Sequence, residues 1–264
     1  MCRHLAYAGP PVTLASLVLD PAHGLLVQSY APADMRGGGT VNADGFGAGW
    51  YPGPTARPDA VRYRAAGPIW SDTSFAALAR STRSTGLLAA VRSATVGMPV
   101  TAPAAAPFAE GRWLFSHNGV VRGWPGSVAG LAARLPVTDL LMLDAPTDAA
   151  LLWALVRDRL RRGTDPAEAL AAVVGEVAAA APGSRLNLLL TDGHGIWATA
   201  WDHALSVRTA GAAGSPDALA VVASEPLDDH PTWTEVPDRH LVVAHPGRRS
   251  TTPLPPPPRP TGAP

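Results

Sequence analysis

The second residue is the chain's single cysteine, preceded only by Met1. Removal of Met1 makes Cys2 the first residue and sets its thiol beside a free α-amine. Such an amine has an ordinary pKa of about 8, and a thiol about 8.5. At neutral pH part of the amine is unprotonated and can take the thiol proton, directly or through a water. The nucleophile then carries its own general base, an alternative to a Cys–His pair. A Met-Cys start says little alone; its weight comes from four other segments.

Ser116-His117-Asn118-Gly119 follows an apolar run and is predicted to end a strand. The Asn118 amide and the Gly119 backbone N–H can converge on one point, as an oxyanion hole requires. Read alone, the same residues suit a turn. Arg92 stands in the segment VRSAT, and its planar guanidinium matches a carboxylate in two-point geometry. Thr95, three residues on, can add a donor. Asp148 opens the segment DAALLWAL, where a carboxylate compensates a helix dipole or meets a substrate ammonium. Arg92 and Asp148 together can read both ends of an α-amino acid. Asp44, in the turn NADG, either shapes the pocket or holds its own turn.

The elements that must position these residues follow from periodicity and turn chemistry. Residues 2–8 are predicted as a strand and 11–19 as a short helix. Residues 42–51 form a Gly-rich turn running into a strand, 60–66 a strand, and 74–81 a helix. Residues 86–94 and 112–117 read as buried strands, separated by a Pro/Ala loop. Residues 147–162 form a strong amphipathic helix with Thr147 as N-cap. A second, Ala-rich helix over 165–180 carries Pro166 in its first turn. Strands follow at 186–191, 195–201, 205–208, 219–224 and 240–244, with Asp192-Gly193 as a hairpin turn. From Pro246 to Pro264 the chain is Pro-rich and poor in large apolar residues, predicting a disordered tail. Many strands with two helices inserted together suit an α+β sandwich better than a βαβ alternation.

Composition narrows the chemistry. The 264 residues are 47% hydrophobic, enough for a sizeable core, and formal net charge is zero. That balance gives no general attraction to nucleic acid or anionic lipid. All 21 basic residues are Arg, which excludes the Schiff-base Lys of pyridoxal-phosphate enzymes and the P-loop Lys. One Cys excludes an internal disulfide and a multi-thiolate zinc site, and the eight His show no HExxH spacing. The apolar run 12–19 is interrupted upstream by Pro10 and Pro11, and no apolar stretch approaches the ~20 residues of a membrane span. The chain therefore reads as cytoplasmic, with no membrane partner.

Cys2, NADGFGAGW, VRSAT, SHNG and the later Asp148 resemble, in order and rough spacing, the class II glutamine amidotransferases. The stretches CRHLAYAGPPVTLASLVLD, AAVRSATVGMP, FSHNGVV, SRLNLL and VVASEPLDDHPTW are similar to one branch, the γ-glutamyl hydrolases of ergothioneine biosynthesis. The resemblance covers about residues 2–245 and implies a four-layer αββα N-terminal-nucleophile sandwich. It implies Cys2 as nucleophile, Asn118 and Gly119 as oxyanion hole, Arg92 and Thr95 on the glutamyl carboxylate, and Asp148 on the ammonium, with no cofactor. The implied partner is a small γ-glutamyl substrate, γ-glutamyl-hercynylcysteine sulfoxide, cut through a Cys2 thioester.

Two departures bear on the leaving group: Ala90 stands where many glutamine-using relatives have His, and Ser93 where many have Trp. A hercynyl group carries a trimethylammonium, which favours aromatic faces; Trp50, Tyr51, Trp70 and Trp113 lie near the predicted site segments. The amidotransferase-like stretch takes up nearly the whole chain, so hydrolysis is expected over transfer to an acceptor. A glutaminase subunit feeding ammonia to a partner synthase, and a catalytically silent γ-glutamyl binder, are the competing readings. Oligomeric state is not encoded in these patterns.

Overall fold

The computed structural model describes residues 2–35, 41–53 and 59–256. Two antiparallel sheets lie face to face between two helical layers. The first sheet holds β1 (Arg3–Thr13), β2 (Phe46–Trp50), β3 (Val61–Ala65), β4 (Arg83–Val91), β9 (Ser206–Ala210), β10 (Leu219–Ala223) and β11 (Thr234–Glu235). The second holds β5 (Phe108–Glu110), β6 (Trp113–Val120), β7 (Arg185–Thr191), β8 (Ile196–Ala200), β12 (His240–His245) and β13 (Arg248–Pro253). Strand order is 11-9-10-1-4-2-3 in the first and 13-12-8-7-6-5 in the second.

Period-two alternation sorts the side chains into layers. Along β1, Ala6 and Ala8 face the second sheet and meet Leu114, Leu189 and Ala198. Leu5 and Tyr7 face outward onto the short helices α1 (Ala15–Val18) and α2 (Leu25–Gln28) and onto α3 (Thr73–Ser81), through Val18, Leu25 and Phe75. On the second sheet Phe115, Leu188 and Leu190 face the opposite way. They pack against two long helices through Leu152, Val156, Leu170 and Val174. After the short helices α4 (Ala129–Ala132) and α5 (Val137–Leu141), those long helices are α6 (Asp148–Arg161) and α7 (Pro166–Ala180). The result is the four-layer αββα sandwich.

Caps set the long helices, the one at Thr147 as expected. Thr147 accepts the Ala150 N–H, and Asp165 accepts those of Ala167 and Glu168.

Three local expectations are corrected. The predicted helix over 11–19 shrinks to 15–18, because β1 continues to Thr13. Pro10 and Pro11, which have no N–H to give a ladder, sit where the β1–β4 register shifts between Ala8 and Val12. The SHNG segment does not end its strand: β6 runs on to Val120, pairing Asn118 with Asn187 and Gly119 with Leu186. Residues 248–253, assigned to a disordered tail, form β13 on the edge of the second sheet, paired with β12. Residues 257–264 lie outside the described residues. No described helix is long and apolar enough to cross a membrane.

Candidate active site

β1 and β4 are antiparallel neighbours with Arg3 opposite Val91, so Cys2 and Arg92 leave the sheet at the same end. Cys2 is partly buried, its thiol 3.9 Å from the Ser93 carbonyl oxygen. Cys2, Arg92, Ser93, Thr95, Gly119 and Asp148 line one pocket. Its free volume is about 40 Å³, room for a few waters.

Arg92 is 8% exposed, and among the described residues its guanidinium bonds only backbone carbonyls, donating to Pro99 at 2.8 Å and to Asp44 at 3.4 Å. Asp148 is 6% exposed. Its carboxylate accepts the Val121 N–H at 3.0 Å and the Ala149 N–H at 2.8 Å. The Val121 bond pins the N-terminus of α6 against the exit of β6. Among the described residues neither charge has an oppositely charged partner. A buried charge without a counter-ion is costly, so one cation-seeking and one anion-seeking group stand ready in the same pocket.

Asp44 does not line the pocket. Its carboxylate accepts the Ala94 N–H at 2.8 Å, and its backbone N–H donates to the Arg92 carbonyl. The Arg92 N–H in turn donates to Gly45, a glycine at φ +125° where other residues are strained. The NADG turn thus clamps the segment carrying Arg92 rather than touching the pocket. Thr95 is exposed and its carbonyl accepts the Met98 N–H, closing a turn on the pocket wall.

Gly119 is required by space: a Cβ there overlaps the Arg185 carbonyl. Asn118 is fully buried, its Nδ2 donating to Ser224 Oγ at 3.2 Å, and its Oδ1 has no partner among the described residues. Ser224 also accepts the His4 N–H at 3.0 Å, and His4 Nδ1 lies 3.2 Å from Ser116 Oγ. Burial, with His117, His203 and Arg3 adding repulsion, lowers the His4 pKa to about 3, so this ring is neutral at physiological pH.

These polar partners carried no sequence signal as individuals. Arg3 is another: its Nε meets Glu225 Oε1 at 2.8 Å and its Nη1 donates to the Cys2 carbonyl at 3.3 Å. None of the four aromatics singled out from sequence lines the pocket. Trp50 is in the outer core of the first sheet. The Tyr51 hydroxyl donates to the Arg112 and Thr191 carbonyls. Trp70 meets Tyr30 at the surface, and Trp113 packs on Trp197.

Residues 17–207 match the family model described as class-II glutamine amidotransferases. The γ-glutamyl-hercynylcysteine sulfoxide hydrolase of Mycolicibacterium smegmatis is 45% identical over 96% of this chain and 100% of its own length. The enzyme of the same name from Mycobacterium tuberculosis is 44% identical over 92% of each chain. Among solved structures, a glutamine aminotransferase class-II domain protein from Silicibacter pomeroyi superposes with a TM-score of 0.67 at 24% identity, covering 97% of this chain and 100% of that one. The glutamine phosphoribosylpyrophosphate amidotransferase of B. subtilis gives 0.67 at 15% identity, over 96% of this chain and 49% of that one.

Proposed function

The chain belongs to the class-II glutamine amidotransferases, and from that premise we propose that it is a cytoplasmic hydrolase of a γ-glutamyl amide, γ-glutamyl-hercynylcysteine sulfoxide, with Cys2 as nucleophile. The observation that carries the reading is the Arg92–Asp148 arrangement. Two buried charges of opposite sign, both without counter-ions among the described residues, line the pocket that holds the chain's single thiol. A free α-amino acid head supplies both missing partners: its carboxylate faces Arg92 and Thr95, and its ammonium faces Asp148.

In the proposed reaction the Cys2 α-amine takes the thiol proton and the thiolate attacks the γ-carbonyl carbon. The developing oxyanion is held by the Gly119 N–H and the Asn118 side chain. If the Asn118 amide is turned so that Oδ1 accepts the Ser224 hydroxyl, Nδ2 is the group left to donate. The tetrahedral adduct collapses with the α-amine delivering its proton to the leaving nitrogen, and the C–N bond breaks. Water then attacks the thioester carbonyl, the thiol is restored, and glutamate leaves. Ala90 and Ser93 both line the pocket, and their small side chains suit a leaving group larger than ammonia.

The test is glutamate release by protein tagged only at the C-terminus, with γ-glutamyl-hercynylcysteine sulfoxide and glutamine compared and Cys2→Ala as control. Fast, Cys2-dependent release from the conjugate with little from glutamine is expected. Preference for glutamine makes the chain an ammonia-supplying glutaminase, and release from neither makes it a binder. An uncleaved N-terminal extension, which blocks the α-amine, is expected to abolish turnover.

A further inference from the structure

We propose that Ser224 is a positioning residue that sets the Asn118 amide against the nucleophile. The inference rests on the reading of Asn118 as an oxyanion donor. β10 pairs with β1 in a register that places Leu5 opposite Ala223, so the next step of the ladder sets His4 opposite Ser224. There the Ser224 N–H donates to the His4 carbonyl at 2.9 Å. The His4 N–H donates at 3.0 Å to the Ser224 hydroxyl oxygen, where a regular ladder would offer a backbone carbonyl. A side chain thus closes the ladder two residues from Cys2. The following residue, Glu225, holds Arg3, whose Nη1 reaches the Cys2 carbonyl. From the second sheet, Ser116 and Asn118 share one face of β6 by period-two alternation. Ser116 Oγ lies 3.2 Å from His4 Nδ1, and Asn118 Nδ2 lies 3.2 Å from Ser224 Oγ. Ser224 thereby joins the strand that carries the nucleophile to the strand that carries the amide.

Proton accounting at this joint fixes the amide. A serine hydroxyl has one hydrogen to give and two lone pairs. One lone pair takes the His4 N–H. With Nδ2 on the other, the hydroxyl hydrogen has no acceptor among the described residues, and Asn118 Oδ1 has no partner there either, in a site closed to solvent. Buried polar groups are paired wherever pairing is available, and the two ends of an amide are nearly the same in shape. Turning the amide pairs both groups at once. The Ser224 hydroxyl donates to Oδ1, and only Nδ2 is left to await the oxyanion. His4 Nδ1 does not compete for this hydroxyl, because it is engaged with Ser116.

The experiment measures kcat and KM for glutamate release from γ-glutamyl-hercynylcysteine sulfoxide by Ser224→Ala, Ser224→Thr, Asn118→Ala and the Ser224→Ala/Asn118→Ala double variant. In Ser224→Ala kcat is expected to fall about tenfold, a part of the roughly 10²–10³ that loss of an oxyanion donor costs, with KM nearly unchanged. Ser224→Thr, which keeps the hydroxyl, is expected to restore most of that loss. In the Asn118→Ala background Ser224→Ala is expected to add less than about twofold, because a residue acting through the amide has nothing left to position. Losses that simply multiply overturn the proposal, since Ser224 then supports only the fold. A wild-type kcat in Ser224→Ala beside a slow Asn118→Ala also overturns it and leaves the oxyanion reading intact. A wild-type kcat in Asn118→Ala overturns that reading and the positioning role with it. If wild type prefers glutamine, the same variants are compared on glutamine, because Asn118 serves the acyl half common to both substrates. Release from neither substrate removes the reaction and the positioning role together. Should Ser224→Ala fail to fold, neutron diffraction from full-length Cys2→Ala decides. A Ser224 hydroxyl hydrogen directed at the Asn118 oxygen supports the proposal, and an Asn118 N–H directed at Ser224 Oγ overturns it.

Discussion

The Arg3 guanidinium and the Glu225 carboxylate meet at 2.8 Å with both side chains almost wholly out of solvent, joining the nucleophile's strand to the end of β10 across 222 residues of sequence. Glu225 Oε2 also accepts the backbone N–H groups of Ala33 and Asp34. Breaking a buried pair from one side leaves an uncompensated charge and costs about 3–5 kcal/mol. Glu225→Ala is expected to lose stability of that order in urea unfolding. A loss below about 1 kcal/mol, the range of a surface pair, contradicts this anchoring role.

Arg92 and Asp148 are expected to govern substrate binding. Hydrogen bonds to charged groups contribute about 1.5–3 kcal/mol, so Arg92→Ala and Asp148→Asn should each raise KM for the γ-glutamyl substrate roughly 10- to 100-fold. Asp148→Asn keeps an oxygen able to accept the Val121 N–H, which separates the charge from the helix anchor. Steady-state kinetics beside a thermal melt checks this. A KM that stays put while stability drops shows a structural role only.

Asn118→Ala is expected to lower kcat by about 10²–10³ with little change in KM, as loss of one oxyanion donor does. The same substitution also removes the partner of a buried hydroxyl, so the split between kcat and KM is the informative quantity. Near-wild-type turnover takes Asn118 out of the mechanism.

His4 makes stability depend on pH in a defined window. Its folded pKa is about 3 against 6.5 for the free side chain. Between those values the unfolded chain binds a proton that the native state refuses, so stability rises with pH there and falls as the pH drops from 6.5 toward 3. The contribution is at most about 1.4 kcal/mol per pH unit. Urea unfolding of wild type and His4→Asn across that range should show a shallower slope in the variant. Parallel slopes mean that the ring is protonated in the native state.

The segments with strong local signals were legible from sequence. The helix at 148–161 carries its own N-cap in Thr147 and a continuous apolar face, and Asp192 with Gly193 marks the β7–β8 turn. The strand at 248–253 carried no such signal. Its sequence RRSTTP is wholly exposed in the fold, so no alternation marks it, and it is a strand only because β12 offers it a free edge. The extension of β1 through Pro10 and Pro11 was hidden for a related reason. Two prolines argue against a central strand unless the partner's register shifts to accommodate them, and that shift belongs to the β1–β4 pairing.

The sequence by itself determined the chemical inventory: one thiol at position 2, a guanidinium in VRSAT, an amide before a glycine, and a carboxylate opening a helix. Those identities needed no coordinates, because the chemistry of each group is intrinsic to its side chain. Tertiary structure decided which of them share a pocket. It placed Arg92 and Asp148 in the pocket of Cys2, withdrew Asp44 to clamp the loop behind it, and left the four earlier-named aromatics out of that pocket. Those placements depend on β1 lying between β4 and β10, a ladder formed between residues far apart in the chain, and strand order of that kind is a property of the closed sheet that no local stretch encodes.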